Sequence, residues 1–132
     1  MTIFLDASAM VAIMTDEPDA FDLERRFGMV VDRLCSALSL WETVRAIARK
    51  RKISVSEACL EVDAFVADFA IRLVSIDAGE ASAAIVAHER YGKGSGHPAR
   101  LNMGDCFAYA CARTNGARLL YKGDDFVHTD LG

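Results

Sequence analysis

The sequence predicts an α/β fold in which helices cover both faces of a parallel sheet. Residues that favour helices dominate the composition, and short β-branched or leucine-rich runs lie between the helical segments. Predicted strands therefore alternate with predicted helices, an order that produces a parallel sheet. The chain has 132 residues. That length fits one domain, residues 1–132, with its own buried core.

Four short apolar runs predict the strands, and helix-start and helix-stop residues separate them. The predicted strands cover residues 2–5, 30–37, 72–76 and 118–121. The predicted helices cover residues 8–14, 16–27, 39–49, 54–69, 77 to 88 or 91, and 102–114. Ser39 with Glu42, and Ser54 with Glu57, have the spacing of capping boxes.

The composition narrows the functional classes. A net charge of −4, from 19 acidic and 15 basic residues, is unusual for a protein that binds nucleic acid through bulk charge, although a local basic patch remains compatible with it. The four cysteines form no Cys-x-x-Cys pair, which predicts reduced core thiols rather than zinc ligands. The first residues lack a basic leader and no apolar run reaches the length of a membrane span, so we expect a cytoplasmic protein without membrane contact.

Acidic residues occupy the positions where parallel sheets place their binding sites, beyond the carboxyl ends of the strands. Asp6 directly follows the first predicted strand, and Asp124 and Asp125 directly follow the last. Glu42 and Asp105 lie in the first turns of predicted helices that can reach the same edge. The sequence therefore predicts that these acids meet at one edge of the sheet.

Each acid also has a purely structural interpretation. Asp6 can cap the following helix, Glu42 can complete a capping box, and Asp105 can complement a helix dipole. Asp124 and Asp125 can be turn residues. However, the helix that Asp105 starts is apolar on nearly every side, which predicts a buried helix with its acid against the core. Carboxylates gathered there would repel one another unless a cation bound them, and oxygen ligands alone suit Mg²⁺ or Mn²⁺.

Four segments resemble the motifs of the PIN-domain ribonucleases of the VapC toxin family. They are Phe4-Leu5-Asp6-Ala7-Ser8-Ala9, Ser39-Leu40-Trp41-Glu42-Thr43, the segment from Leu101 to Ala110, and the segment from Leu119 to Phe126, which is followed by Thr129-Asp130. They occur in the family's order and cover nearly the whole chain. The third and fourth motifs are long and specific.

This resemblance implies a PIN-like three-layer α/β/α sandwich and cleavage of RNA phosphodiesters that depends on Mg²⁺ or Mn²⁺. It implies metal ligands at Asp6, Glu42 and Asp105, with a fourth acid at Asp124 or Asp125. It also implies a homodimer that a small VapB-type antitoxin, encoded beside it, neutralises.

The choice between the two neighbouring acids depends on Phe126, which is expected to pack inward. In an extended stretch, successive side chains point to opposite sides of the chain. Asp124 and Phe126 would then share one side, and Asp125 would point to the other. Together with the family's Asp-Phe pair, this favours Asp125 as the fourth ligand, with Asp124 beside it as an outer acid.

The implied reaction is metal-assisted hydrolysis, in which Asp6 and Asp105 hold one ion and an oriented water attacks phosphorus in line. Whether a second ion binds between Glu42 and the fourth acid is left open by the sequence.

A phosphatase with an aspartyl nucleophile would need a second Asp two residues after Asp6, where this chain has Ser8. Ser8 itself is expected to cap the next helix rather than to support Asp6. A catalytically silent PIN-like module that binds RNA or protein would lack some of the acids, and all are present.

Basic residues form two groups that are candidates for RNA contacts. The first is Arg45, Arg49, Lys50, Arg51 and Lys52, at the end of the helix that carries Glu42. Dipole complementation and solvation are favoured for this run over phosphate contacts. The second group, Lys93, His97 and Arg100, lies in or beside the glycine-rich loop before Asp105. We expect His97 to be solvated rather than a general base.

Overall fold

The chain folds into a four-stranded sheet with six helices, as seen in a computed structural model that describes residues 1–132. In chain order the elements are β1 (Thr2–Leu5), α1 (Ala7–Met14), α2 (Ala20–Gly28), β2 (Asp32–Ser36), α3 (Ala37–Arg51), α4 (Val55–Asp68), β3 (Ile71–Val74), α5 (Ala78–Tyr91), α6 (Met103–Thr114) and β4 (Arg118–Leu120). The strand order is β3-β2-β1-β4, and all pairings are parallel. The predicted parallel α/β fold is confirmed. None of the helices combines the length and the apolar character needed to span a membrane.

The sheet separates two apolar layers because successive strand residues point to opposite faces. Ile3 and Leu5 of β1 pack with residues of α1, α2 and α4 on one face. Phe4, between them, packs with residues of α5 and α6 on the other face. The second half of α3 joins the first layer, where Ile47 packs against α1 and α4. Helices therefore cover both faces, and the three-layer α/β/α architecture is confirmed.

The strand order reverses beside β1, and this reversal positions the site. The chain builds outward from β1 to β2 and β3, and then places β4 on the other side of β1. In open parallel sheets the crevice at such a switch point, outside the carboxyl ends of the strands, is where ligands bind. The backbone N–H of Asp6 donates to the carbonyl of Leu120 at 2.9 Å, which joins the end of β1 to the end of β4.

Helix α3 begins earlier than the sequence predicts, and the difference matters for the site. Ser36, at the end of β2, is its N-cap: Ser36 Oγ accepts the Ser39 N–H at 3.1 Å, and Ser39 Oγ accepts the Ser36 N–H at 2.8 Å. The predicted Ser39–Glu42 capping box is therefore wrong, and Glu42 lies in the second turn of α3 rather than the first.

Other predicted boundaries shift by a few residues. Helix α2 begins at Ala20 rather than near residue 16, because Asp16 has a positive φ of 52° that a helix cannot include. Strand β2 is shorter than predicted, since Ala37 already belongs to α3. The predicted start of α6 is confirmed, with Asn102 as its N-cap.

Candidate active site

Asp6 lies at the carboxyl end of β1 and is buried, with 7% of its surface exposed. Its Oδ2 atom accepts the Ser8 N–H at 3.2 Å and the Ser8 hydroxyl at 2.6 Å. The Ser8 oxygen in turn accepts the backbone N–H of Lys122 at 3.0 Å. Asp6, not Ser8, is the cap of α1, so the expected capping role of Ser8 is wrong. Ser8 instead fixes the Asp6 carboxylate and ties it to the segment after β4.

Burial raises the pKa of Asp6, and the nearby charge of Asp125 adds to this effect. The hydrogen bonds from Ser8 oppose it, because they stabilise the charged form. The site therefore holds a carboxylate in surroundings that disfavour its charge.

Glu42 reaches from α3 to the first turn of α6, where it lies against Gly104. A Cβ atom on Gly104 would lie 2.3 Å from Glu42 Oε2, 3.1 Å from Oε1 and 3.0 Å from Cδ. In this position the Glu42 carboxylate leaves no room for a side chain at residue 104, which is the residue next to Asp105. Burial raises the pKa of Glu42 to about 7, with the charges of Asp6 and Asp105 adding to the effect and that of Arg45 opposing it.

Gly104 lies against Glu42, and the sequence prediction did not single it out. A glycine inside a helix destabilises it by about 0.5–1 kcal/mol relative to alanine, so such a residue calls for a packing or functional reason. That signal was present in the sequence, but the contact partner lies about sixty positions away in the chain.

Asp105 is the third residue of α6 and combines a structural role with a place in the site. Its Oδ2 atom accepts the Asn102 N–H at 3.1 Å, while its own N–H donates to Asn102 Oδ1 at 2.9 Å. The two residues form a capping box that fixes the Asp105 side chain. Burial raises the pKa of Asp105 to about 6, opposed by the hydrogen bond from Asn102 and reinforced by the charges of Asp125 and Asp6.

Asp124 and Asp125 follow β4, and both are exposed. Phe126 is fully buried and packs against Tyr121, with ring centroids 5.0 Å apart, which confirms that it turns inward. The charge of Asp125 contributes to the raised pKa of both Asp6 and Asp105, whereas that of Asp124 is not among the causes. The Lys122 side chain anchors this segment through an ion pair with Glu17 at 3.0 Å.

Four acids, Asp6, Glu42, Asp105 and Asp125, thus form one electrostatically coupled cluster at the switch point. As placed, no three His, Cys, Asp or Glu side chains converge closely enough to hold a metal ion between them. The donor set nevertheless fits a hard divalent cation, because it consists of carboxylate oxygens. A bound cation would also relieve the mutual repulsion that helps raise these pKa values.

The basic run at the end of α3 divides into two kinds of residue. Lys50 pairs with Glu17 at 2.6 Å and Arg51 pairs with Glu61 at 2.9 Å, so both are engaged within the fold. Arg45 makes none of the ion pairs, and its guanidinium lies over the ring of Trp41. Both ion pairs lie at the surface, so the solvated role favoured for this run stays a prediction.

The loop between α5 and α6 supplies cations on another side of the cluster. Lys93 and Arg100 line an open pocket together with Asp105 and both acids after β4. His97 is partly covered rather than solvated, since its Nδ1 accepts the Ala99 N–H at 3.1 Å and its ring packs edge-on against Tyr91. His97 thus orders the loop.

The fold and the acidic cluster define a PIN domain. The sequence matches the PIN domain family over residues 3–131, and the chain belongs to this family. It is 43% identical over 140 residues to a VapC ribonuclease of Rhizobium meliloti, covering 98% of this chain and 99% of that protein. It is 45% identical to the ribonuclease VapC of Mycolicibacterium smegmatis, with 96% and 95% covered. Within the PIN family, the chain belongs with the VapC ribonucleases.

A solved structure shows the same fold. The VapC20 toxin of Mycobacterium tuberculosis, described as cleaving the sarcin-ricin loop, superposes with a TM-score of 0.67 at 18% identity, over 96% of this chain and 93% of that one. The architecture therefore persists where most side chains differ.

Proposed function

We propose that this chain hydrolyses RNA phosphodiester bonds with Mg²⁺ or Mn²⁺, as the toxin of a type II toxin–antitoxin pair. The observation that carries the proposal is the cluster of four acids at the switch point of a VapC-family chain. Burial and mutual repulsion raise the pKa values of three of them. Such a cluster is unfavourable by itself and becomes favourable when a cation binds.

Asp6 and Asp105 would hold the ion, with Glu42 and Asp125 completing the ligand set directly or through water. The ion supplies positive charge that stabilises the attacking and leaving oxygens of an in-line displacement. The protein fixes the ligands: Ser8 holds Asp6, Asn102 holds Asp105, and Gly104 makes room for Glu42. Glu42 would also orient the attacking water.

Metal-dependent cleavage of RNA by the purified protein tests this proposal. We expect cleavage with Mg²⁺ or Mn²⁺ that stops in EDTA, and loss of activity in Asp6→Asn and Asp105→Asn with the fold intact. Asp68→Asn, an exposed acid at the end of α4, is the matched control and should cleave normally. Undiminished cleavage in EDTA would contradict the mechanism. RNA binding without cleavage would indicate the alternative, a catalytically silent PIN-like module.

The proposed contact with an antitoxin follows from the charge of the same acidic cluster. The free cluster carries a negative potential that favours a basic side chain, so we expect a VapB-type antitoxin to place an Arg or Lys near Asp6 and Asp105. Co-expression with the adjacent small open reading frame should restore growth, and the two proteins should co-purify. Failure to co-purify would contradict the assignment to a toxin–antitoxin pair.

We also propose that the chain forms a homodimer, which light scattering would measure, and that it is located in the cytoplasm.

A further inference from the structure

Trp41 is the only tryptophan in the chain, and it lies on the surface of α3. It directly precedes Glu42 in α3, and 59% of it is exposed. Burying a large aromatic side chain is worth a few kcal/mol, and Trp41 leaves most of that unrealised. Its contribution to the folded state is therefore small for its size.

Arg45 lies one helical turn further along α3 and is held beside the same ring. Its Cζ atom is 5.5 Å from the centroid of Trp41, a distance typical of a cation–π pair. Unlike Lys50 and Arg51 of the same helix, Arg45 makes no ion pair. Arg45 also lies three residues after Glu42 in α3, a spacing that puts the two side chains at neighbouring positions on the helix surface, at the edge of the acidic cluster.

The proposed substrate is a polyanion, and the acidic cluster repels it. Productive binding therefore needs cations at the rim of the cluster that contact phosphate. Surfaces on which bases can stack add affinity there. An aromatic ring beside an arginine is the pair that binds single-stranded nucleic acid: the ring stacks on a base, and the guanidinium contacts phosphate.

We propose that Trp41 and Arg45 form a nucleotide subsite beside the acidic cluster, in which the indole ring stacks on an unpaired RNA base and the guanidinium contacts an adjoining phosphate. This inference rests on the proposed function and adds a preference to it. A base can stack on the ring only when it is not already stacked within a duplex. The substrate is therefore RNA with unpaired nucleotides next to the cleaved bond.

Another exposed aromatic residue provides the matched control. Phe21 of α2 is 80% exposed, and it is not part of the acidic cluster. Its neighbours at the surface include Arg25, which pairs with Asp22 at 2.7 Å. Phe21 thus resembles Trp41 in exposure, but its neighbour Arg25 is engaged in an ion pair, and none of the four acids of the cluster lines the pocket that Phe21 lines.

The single tryptophan makes stacking directly observable without any cleavage. The full-length protein in EDTA is titrated with an unstructured oligoribonucleotide, and binding is followed by anisotropy of the labelled RNA and by tryptophan emission. Binding should quench the emission, and the same sequence as a duplex should bind and quench far less. Binding without any change in emission, or no binding, would overturn the proposal. An emission change on protein dilution without RNA would assign the ring to a protein interface, which would also overturn it.

Cleavage kinetics give a second measure. Trp41→Leu should raise KM about 10-fold with little change in kcat, as loss of one stacked base does. Trp41→Phe should recover most of the affinity, and Phe21→Leu should behave like the wild type. Arg45→Gln should weaken binding and lower the slope of log K against log salt by about one. An unchanged KM in Trp41→Leu would refute the subsite. If the wild type binds and quenches but never cleaves, the proposed function fails and the subsite stands.

Discussion

Replacing Gly104 with alanine tests whether this glycine serves the proposed site, separately from its cost to the helix. In an ordinary helical position, Gly→Ala stabilises a protein by about 0.5–1 kcal/mol. At Gly104 the added Cβ atom would lie 2.3 Å from Glu42 Oε2. That is about 1 Å inside the optimal separation of nonbonded heavy atoms, so the Glu42 carboxylate has to move away.

The expected result is a folded protein with a damaged site. Glu42 has a flexible side chain that can swing out, so the free energy of unfolding should stay within about 1 kcal/mol of the wild type. A displacement of about 1 Å in a catalytic group lowers activity by about 100-fold, and loss of a supporting ligand contact lowers metal affinity by about 10-fold or more.

Gly79→Ala is the matched control. Gly79 is the second residue of α5, as Gly104 is of α6, and an added Cβ there would meet nothing within 4 Å. It should raise the melting temperature by about 3–5 °C, with unchanged metal response. Melting temperature by circular dichroism and Mn²⁺ binding by calorimetry measure both effects.

A double-mutant cycle with Glu42→Ala tests the contact itself. Once the Glu42 carboxylate is gone, Gly104→Ala should stabilise the protein as Gly79→Ala does. If Gly104→Ala stabilises equally in both backgrounds and keeps wild-type metal affinity, the contact with Glu42 has no functional role and the reasoning is refuted.

Three further predictions concern protonation, the fourth acid and the thiols. Without metal, the free energy of unfolding should fall as pH rises from about 5 to about 8. The reason is that Glu42 (pKa about 7) and Asp105 (pKa about 6) bind protons more tightly in the folded state than in the unfolded chain. Thermal melts should show this slope, and Glu42→Gln should flatten it; a wild-type stability that rises over this range would contradict it. At limiting Mg²⁺, Asp125→Asn should lower the cleavage rate about 10–100-fold, and Asp124→Asn should lower it less. The reverse order would show that Asp124, not Asp125, is the fourth acid. Iodoacetamide should label only Cys59 in the native protein, since the other three cysteines are buried, and mass spectrometry showing an intramolecular disulfide would contradict the reduced state.

Much of the fold was predictable because its signals are local. Apolar runs and cap residues indicated every strand and helix, with boundary errors of a few residues. The position of Asp6 was also predictable, since an acid that directly follows a parallel strand reaches the binding edge in any such sheet. Asp125 lies in a turn five residues after the end of β4. The inward packing of Phe126 was predictable from its apolar side chain, whereas the alternation of side chains does not apply there, because residues 125–128 form a turn.

The surroundings of the acids depended on tertiary structure. The sequence predicted that α3 begins at Ser39, but Ser36 is an equally good cap residue. Because β2 ends at Ser36, this residue becomes the N-cap of α3, and the Glu42 side chain takes no part in the cap. The close approach of Glu42 to Gly104 joins elements far apart in the chain.

The sequence by itself therefore determined the class of fold and the edge of the sheet at which the candidate acids lie. Only the tertiary structure decided which atoms hold each carboxylate and how strongly burial disfavours its charge. The reason is physical: caps and periodicity are set by neighbours along the chain, whereas desolvation and steric contact depend on what packs across the sheet.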